Sequence, residues 1–238
     1  MAIPDAPRTA RERARAEITT EILDSARAHL VADGAAALSL RAVARDLGMV
    51  SSAVYRYVPN RDALLTMLIV DAYDSLGTAV EKAEASIARD DYVGRFLATC
   101  HTVRTWALAH PHEYALIYGS PVPGYAAPQD TIAPASRVPV ILTTIIADLY
   151  ASGAPVPAAD VPPTVAASIA PIQSFVDGRL PDDLMLRGMA AWSGLFGAIS
   201  FELYGHLHNV VTDSVRSRKA YFDHQMRQVA SGLGLAAR

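Results

Sequence analysis

Cysteine is nearly missing from this sequence. Cys100 is the only one in 238 residues, so an intramolecular disulfide and a cysteine-built zinc site are both excluded. Charge is also sparse, at 19% of residues against 51% hydrophobic, the reverse of the balance that keeps a chain disordered. A formal net charge of −3 excludes a uniformly basic, histone-like protein. Long uncharged runs are lacking. The longest, 114–129 and 161–176, have 16 residues each and are broken by prolines, short of the roughly 20 that span a bilayer. The N-terminus has no apolar stretch of the kind found in secretory signals. These absences lead us to expect a soluble, cytoplasmic protein with no membrane partner. There is no phosphate-cradling glycine loop, no Gly-x-Ser-x-Gly elbow and no paired-carboxylate motif, so neither catalytic residues nor a cofactor is expected. The pairs His110-x-His112 and His206-x-His208 point to different faces of a helix, with no third ligand nearby. We read them as surface or helix-end residues rather than a metal site.

What the sequence does contain is helical periodicity. Ile18, Ile22, Ala26 and Leu30 form an i+4 stripe that Asp33-Gly34 ends, since glycine suits a left-handed cap. Leu40, Val43, Ala44 and Leu47 predict a short second helix with Ser39 as N-cap. Leu64, Leu68, Ala72, Leu76 and Val80 mark a longer third. Sustained period-two alternation occurs nowhere, so the fold class is all-α. Ten of the 15 prolines fall between Pro121 and Pro171. Helices are expected over 92–110 and 131–152, with the regular part of the latter after Pro139. Two more are expected from Pro181-Asp182-Asp183 to about His208 and from about Asp213 to Gly232.

Spacing becomes specific between Ser39 and Arg61. Ala44 is small enough for a close helix crossing, Gly48 suits a tight turn, and Val54 and Val58 would lock a second helix against Val43 and Leu47. That second helix, about 51–57, offers Ser51, Ser52, Ala53, Tyr55 and Arg56 outward, with Ser39 and Arg41 at the head of the preceding helix. These groups suit phosphates and base edges. The same apolar spacing also fits a plain three-helix bundle. Charge distribution separates the two readings. Residues 8–15, with Arg8, Arg11, Arg13 and Arg15, sum to +3; residues 39–61 sum to +3; all other residues sum to −9. Both the N-terminal arm and the candidate motif thus carry net basic charge against an acidic remainder, as expected of a DNA-binding domain.

The run from Leu40 to Gly48, followed by Val54-Tyr55-Arg56-Tyr57-Val58-Pro59-Asn60-Arg61-Asp62-Ala63-Leu64-Leu65, resembles the DNA-binding domain of the tetracycline-repressor (TetR) family. The resemblance implies a three-helix DNA-binding domain over 1–62, a connecting helix over about 61–85 and a helical regulatory and dimerisation domain over 63–238. It implies a homodimer on an inverted-repeat operator of double-stranded DNA, with Tyr55 and Tyr57 touching phosphate or base and Arg61 gripping phosphate. One departure stands out: Val50 occupies the place of the serine that usually caps the recognition helix. The cap, and with it the base-reading register, is therefore open to a shift of one residue toward Ser51.

The segment from His110 to Pro121, and Ala191-Trp192-Ser193-Gly194-Leu195-Phe196-Gly197, resemble a regulatory-domain subgroup of the same family with a Trp-x-Gly element. The resemblance implies a four-helix dimer interface containing Trp192, Gly194, Gly197, Ala198, Phe201, Tyr204, Met226 and Val229. The same residues also suit an internal core helix. Ligand sensing is the family's usual switch, and candidate pocket residues are Phe96, Trp106, Tyr114, Tyr118, Phe175, Met185 and Met189, with His101 and Arg104 as polar handles. Their chemistry suggests a small apolar or aromatic effector. The expected function is a ligand-responsive transcriptional regulator, a repressor rather than an enzyme. The alternatives are a helical dimer that binds a small molecule or partner without specific DNA recognition, and a helical enzyme using the same cavity.

Overall fold

The computed structural model describes residues 9–176, 178 and 180–235. Among them no strand occurs, and the order of helices is α1 (Ala10–Asp33), α2 (Leu40–Asp46), α3 (Ser51–Val54), α4 (Arg61–Ala85), α5 (Tyr92–Ala109), α6 (Pro111–Tyr118), α7 (Ile132–Ala151), α8 (Pro163–Ser168), α9 (Ala170–Phe175), α10 (Asp182–Leu203) and α11 (Val215–Gly232).

The start of α1 follows from a capping box, in which Thr9 and Glu12 satisfy each other's backbone N–H. Its i+4 stripe, Ile22, Ala26 and Leu30, is buried, and Gly34 ends it at φ +76°. The expected basic arm is therefore helical from Ala10 onward: Arg11, Arg13 and Arg15 lie on the first turns of α1, and Arg8 lies outside the described residues.

Two compact units divide the chain, and the division departs from the expected boundary at 62/63. The first takes the chain up to Tyr73 together with His112–Pro134; the second takes Asp74–Pro111 and everything from Ala135. The core of the first unit joins Ile22 and Ala26 of α1, Leu40, Val43 and Ala44 of α2, Val54, Val58, and Leu64, Leu65 and Leu68 of α4. The returning stretch is built into this unit. Leu116, Val122 and Tyr125 pack on the core, and the Tyr125 hydroxyl lies 2.9 Å from that of Thr66. Tyr73 donates to the Ile117 carbonyl at 3.3 Å. Arg27 of α1 pairs with Asp24, with Asp71 of α4 and with Glu113 of α6.

In the second unit α5 packs on α10 and α11. Another arginine fastens α7 to the second half of α4: Arg137 reaches Asp74 at 2.9 Å, both oxygens of Glu81 at 2.7 Å and Thr78 at 3.0 Å. Hydrogen bonding to that guanidinium holds the Glu81 carboxyl below its usual pKa. Gly77 makes room for the arrangement, because a Cβ there would lie 2.5 Å from Arg137 Nε. Gly77→Val is accordingly expected to displace the guanidinium, break these bonds and lower the melting temperature by several degrees. Gly205→Ala, at a turn, offers a comparison in which no ion pair is lost.

Two expected boundaries need correction. The regular part of α7 begins at Ile132, with Pro139 inside the helix. The cost of an interior proline is offset by burial of Val138, Leu142, Ile145, Ile146 and Leu149 on one face. Helix α10 stops at Leu203 rather than near His208, because the chain turns through Gly205 (φ +81°) and Asn209 (φ 61°). Besides the expected α7, the proline-rich stretch holds α8 and the start of α9, which were not expected, prolines being tolerated in their first turns. The bilayer criterion also erred. By length and composition alone, the helical stretches Arg61–Ala85, Gln129–Ala151 and Asp182–Leu203 are long and apolar enough to cross a membrane, since an apolar helix tolerates one or two charges that an uncharged-run count does not.

Candidate nucleic-acid interface

A tight turn sets the angle between α2 and α3. Gly48 adopts φ +63°, its N–H bonds the Arg45 carbonyl at 3.1 Å, and the Met49 N–H reaches back to Ala44 at 2.8 Å. Two of the carbonyls at the end of α2 are thereby satisfied. Ala44, Val43, Val54 and Val58 are buried where the two elements cross. The spacing read from the sequence thus corresponds to a helix-turn-helix.

The second element is shorter than expected. Regular helix covers only Ser51–Val54, and a further turn carries the chain to Val58, whose N–H bonds the Val54 carbonyl at 3.0 Å. The cap position is occupied by Val50, without a side-chain bond, so the cap is not shifted toward Ser51. Ser39 likewise precedes α2 without a side-chain cap bond. Exposed around this motif are Arg41, Arg45, Ser52, Tyr55 and Arg56, while Ser51 and Ala53 are half-buried.

Two of the expected contact residues have other partners. Tyr57 is half-buried against the core, and the Arg15 guanidinium covers its ring at 5.2 Å. Arg15 also reaches the Arg56 carbonyl at 3.5 Å. Arg61 turns inward, contrary to the phosphate grip expected of it: it donates to the carbonyls of Ala35 (2.9 Å), Ala36 (3.1 Å) and Leu38 (3.3 Å). These carbonyls belong to a short 3₁₀ turn and its end, where backbone acceptors lack helical partners. Arg61→Ala should therefore lower the melting temperature by several degrees as well as weaken DNA binding; full stability in a thermal melt would count against this clamp.

The residues proposed for an effector pocket are divided between the two units. Tyr114 and Tyr118 belong to the first unit and the other seven to the second. Phe96, Trp106 and Met185 are buried, and Trp106 donates to Ser75 Oγ at 3.0 Å and stacks on His110 at 5.1 Å. Phe175 is exposed at the end of the six-residue α9, and Met189 lies just past the buried arc of α10. The two polar handles are engaged. Arg104 makes a buried bidentate pair with Glu202 of α10, at 2.7 and 2.5 Å, and its guanidinium lies over Phe222. His101 meets Asp223 of α11 at 2.9 Å, and hydrogen bonds from Arg227 and His101 hold that carboxyl below its usual pKa. Burial raises the pKa of Tyr118, reinforced by Tyr73 and Tyr114, and burial also raises that of Cys100. A separate recess of about 800 Å³ lies between the start of α5, the end of α7 and the end of α11, and includes Asp90, Leu97, Leu149, Arg227 and Leu235; none of the nine expected residues lines it. Among the described residues no three His, Cys, Asp or Glu side chains gather as a metal-binding group.

On α10, the expected interface residues Trp192, Gly194, Phe201 and Tyr204 are exposed, and a Cβ at Gly194 or Gly197 would meet nothing. Ala198 and Val229 are half-buried, whereas Met226 is buried within its own chain.

A helix-turn-helix carried on a segment of net positive charge, in a chain without strands among its described residues, defines the class of helix-turn-helix transcriptional regulators. Comparison with known proteins agrees. The profile described as bacterial regulatory proteins, tetR family, matches residues 22–68, and that described as tetracyclin repressor-like, C-terminal domain, matches residues 96–229. The HTH-type transcriptional regulator Rv1816 of Mycobacterium tuberculosis is 40% identical over 225 residues, covering 94% of this chain and 95% of the relative. The crystal structure of SCO4313, described as a regulatory protein, is 33% identical and superposes with a TM-score of 0.76 over 94% of this chain and all of that one. The regulator PfmR from Thermus thermophilus, at 18% identity and a TM-score of 0.59, covering 89% of this chain and 98% of that one, shares the fold. The chain belongs to the TetR family and is a DNA-binding transcriptional regulator.

Proposed function

We propose that the protein is a repressor that binds an inverted-repeat operator as a homodimer and is released by a small apolar or aromatic effector. Each protomer presents Arg41, Ser51, Ser52, Ala53, Tyr55 and Arg56 to one half-site, with Tyr57 and Arg61 supporting that surface from behind. The net positive charge of the segments 8–15 and 39–61, the latter holding the helix-turn-helix, carries the DNA-binding part of this reading. The dimer rests on the face of α10, where Ser193, Gly194, Phe201 and Tyr204 are exposed on an otherwise apolar helix. Release follows if the effector binds better to the state in which the two recognition elements no longer match the fixed spacing of the half-sites.

Selection from random duplexes with the full-length protein tests the reading. The expected result is an enriched inverted repeat bound by two chains, outcompeting random duplex by at least 10³-fold. Equal affinity for both duplexes would refute it. Tyr55→Ala should weaken binding to the enriched duplex by roughly ten-fold while sedimentation of the free protein is unchanged.

A further inference from the structure

Val50 is 71% exposed, the most exposed of the large hydrophobic residues described in the first unit. The chain around it gives no structural reason for an apolar side chain there. It makes no capping bond to α3, and a hydroxyl or carboxamide at that position would stabilise the helix better. Met49 beside it turns into the core and leaves Val50 alone at the surface. Its neighbours Ser51, Ser52 and Ala53 are too small to cover it. The surroundings are otherwise polar or basic, with Arg41, Arg45, Ser52, Tyr55 and Arg56 exposed.

A lone apolar side chain on a polar, DNA-facing surface matches one feature of duplex DNA. In the major groove, base edges present hydrogen-bond donors and acceptors, and the apolar group among them is the C5-methyl of thymine. Given the proposed function, on which this inference rests, Val50 enters the groove at the head of the element that carries Tyr55 and Arg56, all three being exposed. We propose that Val50 is a specificity-determining residue that packs on the methyl group of one thymine in each half-site. Burial on the methyl removes apolar area from water on both partners, whereas cytosine at that position presents an amino group and no methyl. A serine at position 50 would bond the helix instead and be indifferent to the methyl.

The experiment uses the duplex enriched by selection with the full-length protein. Each thymine of a half-site is replaced singly by deoxyuridine, which lacks only the methyl, and affinities are measured by competition for the wild type, Val50→Ser and Val50→Ile. For the wild type and Val50→Ile, one replacement per half-site should weaken binding about four-fold, the worth of one buried methyl-sized group. Val50→Ser should bind the thymine and deoxyuridine duplexes equally at that position. Equal sensitivity in Val50→Ser and wild type, or no sensitive thymine in the wild type, would overturn the inference while leaving the proposed function standing. Failure to enrich any duplex would overturn both. Because the Val50 side chain is exposed and makes no bond, the variants should melt at or above the wild-type temperature, which separates a reading defect from a folding one.

Discussion

Glu202→Gln is expected to cost the fold about 3–5 kcal/mol, seen as a fall of about 1–2 M in the urea midpoint. Arg104 and Glu202 are both buried, and their two hydrogen bonds of 2.7 and 2.5 Å link α5 to α10. Removing the carboxylate charge leaves a guanidinium desolvated without compensation, for the Phe222 ring 5.5 Å away repays only a fraction of that cost. Replacing both partners is a different matter. Arg104→Met with Glu202→Leu removes the desolvation penalty together with the attraction, and its midpoint should return close to wild type. A single variant as stable as the double one would mean that water reaches the pair and that the guanidinium is not desolvated.

Phe201→Arg should have the largest effect on DNA binding of any change outside the helix-turn-helix. The residue is 55% exposed on α10, in line with Ser193, Gly197 and Tyr204, so the protomer's own core does not depend on it. If that face pairs with its copy, two guanidinium groups would be brought together in an apolar interface. The expected outcome is a monomer by sedimentation with a normal melting transition. Operator affinity should fall at least 100-fold, because two half-sites are no longer engaged at once. A dimer retained in Phe201→Arg would exclude this face as the interface.

The helix-turn-helix was legible in the sequence because its determinants are local. Ala44, Gly48, Val54 and Val58 fall within 15 residues, and each is required by a distance or angle that the backbone imposes at short range. Side chains with long-range partners were not legible. Arg15 counts as one positive charge in the sequence, and nothing in its neighbourhood announces Tyr57, 42 residues further on. Arg61 likewise read as a phosphate grip because its inward acceptors are backbone carbonyls, which exist at every position and carry no sequence signal. His101 and Arg104 read as polar handles for the same reason: their partners Asp223 and Glu202 lie 122 and 98 residues away. Pro181-Asp182-Asp183 located the start of α10 but not its buried face. Periodicity could not place Met189 within the buried arc or outside it, since the edge of an arc depends on the width of the neighbouring helices.

The stretch His112–Pro134 lies within the part of the chain matched by the C-terminal family profile, yet it folds with the first unit. Cutting this protein by sequence after α4 would therefore strip its DNA-binding half of the Arg27–Glu113 pair, the Tyr125–Thr66 bond and the cover over Leu68 and its neighbours. An isolated headpiece made that way would be a wounded domain rather than a minimal one. Exchanging headpieces between relatives to re-aim them at new operators has to move both stretches of chain, or graft the recognition residues alone.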